Sequence, residues 1–298
     1  MVVLQKIGGK FMQKFLISVE CACDLDKETI EKYNIQVAPM EFIINGTVIS
    51  SLDPDFSSKK VAQFMREGAE TKTTQINEYA AKEYLGDLMK QGLDVIHISF
   101  SSAMSNTYNN FNNAAAELNK THENKVVVVD SLCQSGGVGV LVKMLLDEID
   151  NGNINNIYDA KKFAEKVRLN IAHYFTVDNL KYLARGGRIS GSKAFIGNLL
   201  QLKPILRLDD TGTIVPFKKV MGRKTAIKAL FDLMKETYIP LSKRVIITEA
   251  DCEDDAKTLK DMILSQFNVD VTVVSLSPLV TTHSGPGTLA LYYTLNKR

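Results

Sequence analysis

Residues 99–109 read Ser-Phe-Ser-Ser-Ala-Met-Ser-Asn-Thr-Tyr-Asn and follow directly on the apolar run Val95-Ile96-His97-Ile98. A short β-branched run that breaks into small hydroxyl residues ahead of a helical pattern predicts a strand–loop–helix junction. Such a junction gathers backbone N–H groups and hydroxyls at one point, backed by the positive end of a helix dipole. The chemistry on offer is the holding of a carboxylate or a phosphate. Lys72-Thr73-Thr74-Gln75 adds a second hydroxyl pair. Thr73 or Thr74, with Ser101 or Ser102, would supply neutral donors, and the loop amides would supply more. Helix capping is the plainer use of the same hydroxyls.

Other chemistries find less support. Ser102 with His283 would make a serine-hydrolase pair, but no Gly-x-Ser-x-Gly elbow accompanies it. Gly137-Val138-Gly139-Val140-Leu141-Val142 lacks the third glycine of a dinucleotide fingerprint. There is no Gly-x-x-x-x-Gly-Lys-Ser/Thr phosphate loop and no paired acidic metal motif. Cys21 and Cys23 have no second pair to answer them, so all four cysteines, with Cys133 and Cys252, are expected to be reduced thiols and no metal is expected. His97, His122 and His173 are expected to be structural.

The elements that must position these residues alternate strand and helix over the first half. Strand signals fall at Lys14 to Val19 and Val95 to Ser99, with two short strands about Asn45-Gly46. Helical spacing covers Asp26 to Tyr33, Ser57 to Glu67, Ile76 to Gln91 and Ser105 to Leu118. Val126-Val127-Val128-Val129 reads as a central strand buried on both faces, followed by a Gly-rich loop and a helix from about Gly136 to Asp150. This order predicts a parallel sheet covered by helices on both faces, with ligands at the carboxyl ends of its strands. The second half changes character. It predicts a hairpin about Asp209-Asp210-Thr211-Gly212, helices at Ala160 to Ile171, Ala194 to Leu200, Arg223 to Lys235 and Ala256 to Phe267, and strands at His173 to Val177, Arg244 to Glu249 and Asp270 to Leu276. The boundary is placed near residues 155–172, giving domains 1–160 and 161–298.

The 298 residues carry a net charge of +2 and 45% apolar residues, which fits a protein with a full core and argues against a nucleic-acid polyelectrolyte. Lys181 to Lys228 is locally basic, with Asp209 and Asp210 its only acids, a pattern that steers an acidic or phosphorylated partner. No apolar stretch has membrane-spanning length. The start, interrupted by Lys6, Lys10 and Lys14, does not read as a signal peptide, and residues 1–11 read as an upstream extension. A cytoplasmic location is expected.

Four separated motifs together resemble the DegV family of bacterial fatty-acid-binding proteins. They are Lys72-Thr73-Thr74-Gln75; Ser101-Ser102-Ala103-Met104-Ser105-Asn106-Thr107-Tyr108; Leu180 to Ser190 with Lys203-Pro204-Ile205-Leu206; and His283-Ser284-Gly285-Pro286-Gly287-Thr288. Val129-Asp130-Ser131 and Ser135-Gly136 with Gly139 also fit, and the order holds along nearly the whole chain. The sequence departs from the family where its first strand usually runs into Thr-Asp-Ser. Here it reads Val19-Glu20-Cys21-Ala22-Cys23. Asn106 stands where glycine is usual, and asparagine also tolerates left-handed backbone.

The resemblance implies an α/β fold of two domains, the second with a mixed or antiparallel sheet, and a long-chain fatty acid bound between them. Its carboxylate would be held by Thr73, Thr74, Ser101, Ser102 and His283, in a loop whose glycines allow close backbone approach. The protein would be a carrier without activity or cofactor of its own. It would present the carboxylate to a separate kinase subunit that brings ATP and Mg²⁺, with Arg188 and Arg223 in the docking surface. The product would be an acyl phosphate for phospholipid synthesis, with transient contact to a membrane or an acyltransferase. A lipid-sensing regulatory protein is the alternative reading.

Overall fold

The computed structural model describes residues 14–189 and 202–298. The chain opens with strand β1 (Phe15–Glu20), helix α1 (Lys27–Lys32) and strands β2 (Gln36–Ala38), β3 (Glu41–Ile44) and β4 (Thr47–Ser50). It continues through α2 (Ser58–Arg66), β5 (Thr71–Thr73), α3 (Glu78–Met89), β6 (Asp94–Ser99), α4 (Thr107–Thr121), β7 (Val126–Asp130), α5 (Gly136–Asp150) and α6 (Ile157–Val167). The second half holds β8 (Ile171–Thr176), α7 (Lys181–Arg185), β9 (Leu202–Leu208), β10 (Ile214–Met221), α8 (Arg223–Thr237), β11 (Arg244–Glu249), α9 (Glu253–Leu264), β12 (Asp270–Ser275), α10 (Pro278–Ser284) and β13 (Leu289–Thr294). The helix expected at Ala194 to Leu200 lies outside the described residues.

The first sheet has the order β2-β1-β6-β7 and is parallel throughout, with Ile17 opposite Ile96 and Ile96 opposite Val127. The Val126–Val129 run is therefore at an edge, not at the centre as its composition suggests. It stays largely dry because Val126 and Val128 pack with Phe111, Ala114 and Leu118 of α4, while Val129 packs with Ile157, Ala160 and Ala164 of α6. Burial on both faces needs a helix on each side and does not need a central position. A small antiparallel sheet, β4-β3-β5, turns at Asn45-Gly46, and it includes a third short strand, β5, beyond the sequence expectation.

The second sheet has the order β10-β9-β8-β13-β11-β12. Only β11 and β12 run parallel, and β9 and β10 form the hairpin expected at Asp209–Gly212. Helices α8 and α9 bury Ala226, Leu230, Met234, Leu259 and Ile263 on its outer face. Its inner face shares a single core with the first sheet, in which Ile17, Ile96, Val140, Leu141, Phe175, Ile246 and Tyr292 all lie.

Helix α5 fills the space between the sheets, and its glycines set how closely. A Cβ at Gly136 would fall 2.7 Å from Ile246 and Tyr292, and one at Gly137 would fall 1.9 Å from His173 Nε2. Gly139 meets Ile246 at 2.8 Å in the same way. These glycines pack protein against protein, which accounts for a Gly-rich helix start without a dinucleotide.

Candidate functional site

A cavity of about 840 Å³ lies where the parallel strands end, closed by α10 and the inner face of the second sheet. It sits at the position expected for an open parallel sheet. Its inner wall is largely apolar, formed by Phe100, Met104, Phe175, Leu279, Ala290 and Tyr292. Gln75, Asn106 and Gly187 line the other end and are exposed, so the cavity opens there.

Thr73, Thr74, Ser102, His283 and Arg188 all line this cavity. Thr73 closes β5, and its Oγ1 is 2.8 Å from His283 Nε2 in the last turn of α10. The two elements are tied again by Thr71 Oγ1, which donates to Thr282 O at 3.1 Å and accepts from Arg185 Nη2 at 2.9 Å. Ser277 caps α10 and Pro278 starts it, as a helix N-terminus favours. Thr74 bonds back to Glu41 O through its amide and, at 3.3 Å, through its hydroxyl.

Burial, with Arg188 and Arg185 nearby, pushes the His283 imidazole down to about 4, so it is neutral at pH 7. Its ring lies against Gly186, where a Cβ would approach Nδ1 to 2.3 Å. The glycines after His283 make room for protein rather than ligand. Gly285 has φ +84°, and a Cβ there would meet Tyr182 at 2.2 Å. At Gly287 one would meet Asp178 at 2.1 Å.

The two adjacent serines separate. Ser102 Oγ donates to Asp130 Oδ2 at 2.5 Å, and its N–H donates to Oδ1 at 3.1 Å. Leu132 N–H shares that Oδ1, also at 3.1 Å. To donate to an anion, the Ser102 hydroxyl rotates away from Asp130, which keeps both amides. Ser101 is fully buried and turned elsewhere, its Oγ donating to Gly212 O at 3.0 Å in the β9–β10 hairpin. It joins the two halves of the chain and does not line the cavity. Asn106 has φ −75°, so its tolerance of left-handed backbone is not used.

Of the two arginines expected at a docking surface, Arg188 is half-buried at the cavity, its Nη1 donating to Gly186 O, and burial lowers its pKa. Arg223 instead faces inward at the start of α8. Its Nε donates to Asp255 Oδ2 at 2.7 Å, and Nη1 is 3.8 Å from Asp178 Oδ1. Nη1 and Nη2 are buried without a hydrogen bond among the described residues, so burial rather than pairing keeps the guanidinium from a surface partner. Lys203 and Lys228 of the basic segment are likewise paired, with Asp178 and Asp232 at 2.6 Å each.

No hydrogen bond joins Ser102 to His283. One is engaged with Asp130 and the other with Thr73, so the hydrolase pair is not assembled. No metal-binding cluster occurs among the described residues, and no helix there is long and apolar enough to cross a membrane. Three polar residues at the site lie outside the expected set: Asp130, in the Val129-Asp130-Ser131 segment that fits the family, Glu20, where the first strand departs from it, and Gln134. Asp130 supports Ser102, and Glu20 and Gln134 line the cavity. A carboxylate at the end of a strand in a parallel sheet is a further cue to Asp130 and Glu20. Gln134 follows a left-handed Leu132 that sequence does not predict.

Residues 14–296 match the family described as "Uncharacterised protein, DegV family". A DegV domain-containing protein of Clostridium perfringens is 34% identical over 95% of this chain and 98% of its own. A protein of Thermotoga maritima named a fatty acid-binding protein is 30% identical over 93% of this chain and 96% of its own. A solved structure described as fatty acid binding of a DegV family protein, from Thermus thermophilus, superposes with a TM-score of 0.84 at 25% identity, covering 95% of this chain and all of that one. With the match spanning both sheets and every motif around the cavity, this chain belongs to the DegV family.

Proposed function

We propose that this chain binds a long-chain fatty acid, with the acyl chain in the cavity and the carboxylate at the open end beside Thr73, Ser102 and His283. The observation that carries this is the layout of the cavity: an apolar inner wall, and an open end lined by hydroxyls, a neutral imidazole and one arginine. The named relative and the fatty-acid-binding structure support the same ligand class. About 14 buried methylenes would contribute roughly 11 kcal/mol gross at ~0.8 kcal/mol each. The chain therefore dominates affinity, and the polar groups set which end faces out.

The same layout supports a carrier that hands its ligand to a separate ATP-dependent kinase subunit. A carboxylate needs no general base. Its oxygen attacks the γ-phosphorus, ADP leaves, and an acyl phosphate results that is suited to phospholipid synthesis. What the carrier must do is hold the carboxylate without neutralising it. Hydroxyl donors and a neutral His283 do that, whereas an imidazolium would add a second cation beside Arg188 and blunt the nucleophile. ATP and Mg²⁺ would come with the partner, which would meet the open end near Arg188.

Trapping with hydroxylamine tests this reading. Loaded protein with Mg-ATP should give no acyl hydroxamate alone, and should give it once a kinase fraction from the source cells is added. Hydroxamate from the loaded protein alone would overturn the carrier reading.

A further inference from the structure

Glu20 is only 2% exposed, yet its carboxyl lines the cavity. Its Oε1 accepts from Ser99 Oγ and from Phe100 N–H, the latter at 3.2 Å, and lies 3.7 Å from His97 Nε2. His97 is held in turn by Ser18 Oγ at 2.9 Å, and Ser18 meets Tyr84 OH at 3.0 Å. The carboxyl is thus fixed from one side. Its Oε2 has no hydrogen bond among the described residues, and it is not among the atoms sealed away from the cavity.

Gln134 is a second group of this kind, 7% exposed and lining the same cavity. Its backbone is engaged: the N–H donates to His173 Nε2 at 3.3 Å and the C=O accepts from Gly137 N–H at 2.9 Å. Its side-chain amide has no hydrogen bond among the described residues and is not sealed off either. The segments carrying the two groups are tied together, because Ser135 Oγ donates to the Asp24 carboxyl. An acyl chain of methylenes alone would strip water from both groups and leave them unpaired, at a cost for each. A hydroxyl carries one donor and two acceptor positions. On an acyl chain in this cavity it would offer a donor to Glu20 Oε2 and an acceptor to the Gln134 amide.

We infer that Glu20 and Gln134 form a second polar subsite within the cavity, and that the acyl chain it takes carries a hydroxyl group along its length. This rests on the fatty-acid reading above and names its ligand class more narrowly. The test titrates delipidated protein with stearic acid and with its mono-hydroxy and mono-oxo derivatives, the oxygen being moved along the chain. One hydroxy isomer should bind about tenfold more tightly than stearic acid, and its oxo counterpart, which cannot donate, should not. Glu20→Gln keeps the Oε1 acceptor but presents N–H in place of Oε2, and should shift the preference from the hydroxy to the oxo isomer. Gln134→Leu should reduce the ratio of hydroxy to plain affinity. The inference is overturned if no isomer binds more tightly than stearic acid, as when water alone serves the two groups, or if the hydroxy preference survives both substitutions. Failure of every acyl chain to bind would overturn the fatty-acid reading and this inference with it.

Discussion

His283 Nε2 and Thr73 Oγ1 stand 2.8 Å apart, although 210 residues separate them in the chain. The contact joins the end of β5 to the end of α10 at the mouth of the cavity. It places a neutral imidazole behind a hydroxyl; in the Nε2–H tautomer the ring donates to Thr73 and leaves the threonine proton free to point into the cavity.

Thr73→Ala combined with Ser102→Ala should weaken fatty-acid binding without unfolding the protein. Each hydrogen bond to a charged carboxylate contributes about 1.5–3 kcal/mol, so the double variant should lose roughly 100-fold in affinity or more. Calorimetric titration of delipidated protein, with a thermal melt as control, checks this. Unchanged affinity would mean that the carboxylate lies elsewhere.

Ser101→Ala should behave in the opposite way. Its Oγ serves Gly212 O in the hairpin and not the cavity. Stability should fall by about 1–2 kcal/mol with the loss of a buried hydrogen bond, while the dissociation constant stays close to that of the parent. Urea unfolding and the same titration separate the two effects.

The distinction between these serines shows where sequence reading stops. The Ser-Ser-Ala-Met-Ser-Asn-Thr-Tyr stretch identifies the junction, because a β-branched strand breaking into hydroxyls before a helix has few other uses. Which serine faces the cavity depends on Asp130 and Gly212, which are brought there by the end of β7 and by the β9–β10 hairpin. The sheet type was legible from alternating strand and helix patterns, but the place of Val126–Val129 was not. Periodicity reports burial, and α4 and α6 bury an edge strand as well as a neighbouring strand would. Arg223 is a similar case. Its charge reads as surface until Asp255 and Asp178 arrive from α9 and the loop after β8.

His283 should leave a mark on the pH dependence of stability. Its folded-state pKa is about 4, lowered from 6.5 first by burial and then by Arg188 and Arg185. Between those values the unfolded chain binds a proton that the folded chain refuses, so stability falls as pH drops from about 6.5 to 4. The contribution amounts to about 3 kcal/mol. His283→Gln should flatten that part of the profile relative to the parent, and denaturant unfolding at several pH values would show it. An unaltered slope would mean that the imidazole is not held neutral.

Glycine substitutions test the packing around α5. Gly137→Ala should destabilise by about 3 kcal/mol, since the new methyl would meet His173 at 1.9 Å with no room to yield. Gly86→Ala in α3 is the contrast. Among the described residues its Cβ would meet only Leu118 Cδ2, at 3.9 Å, and it should stabilise by about 0.5–1 kcal/mol through helix propensity. Thermal melts of the two variants should therefore move in opposite directions.

The central claim is that the cavity holds a fatty acid, and mass spectrometry of what the purified protein releases on denaturing extraction tests it most directly. The account predicts about one equivalent of a long-chain acid per chain, lost on delipidation and regained on incubation with the free acid. Recovery of no stoichiometric acid, together with failure of the delipidated protein to rebind one, would contradict it.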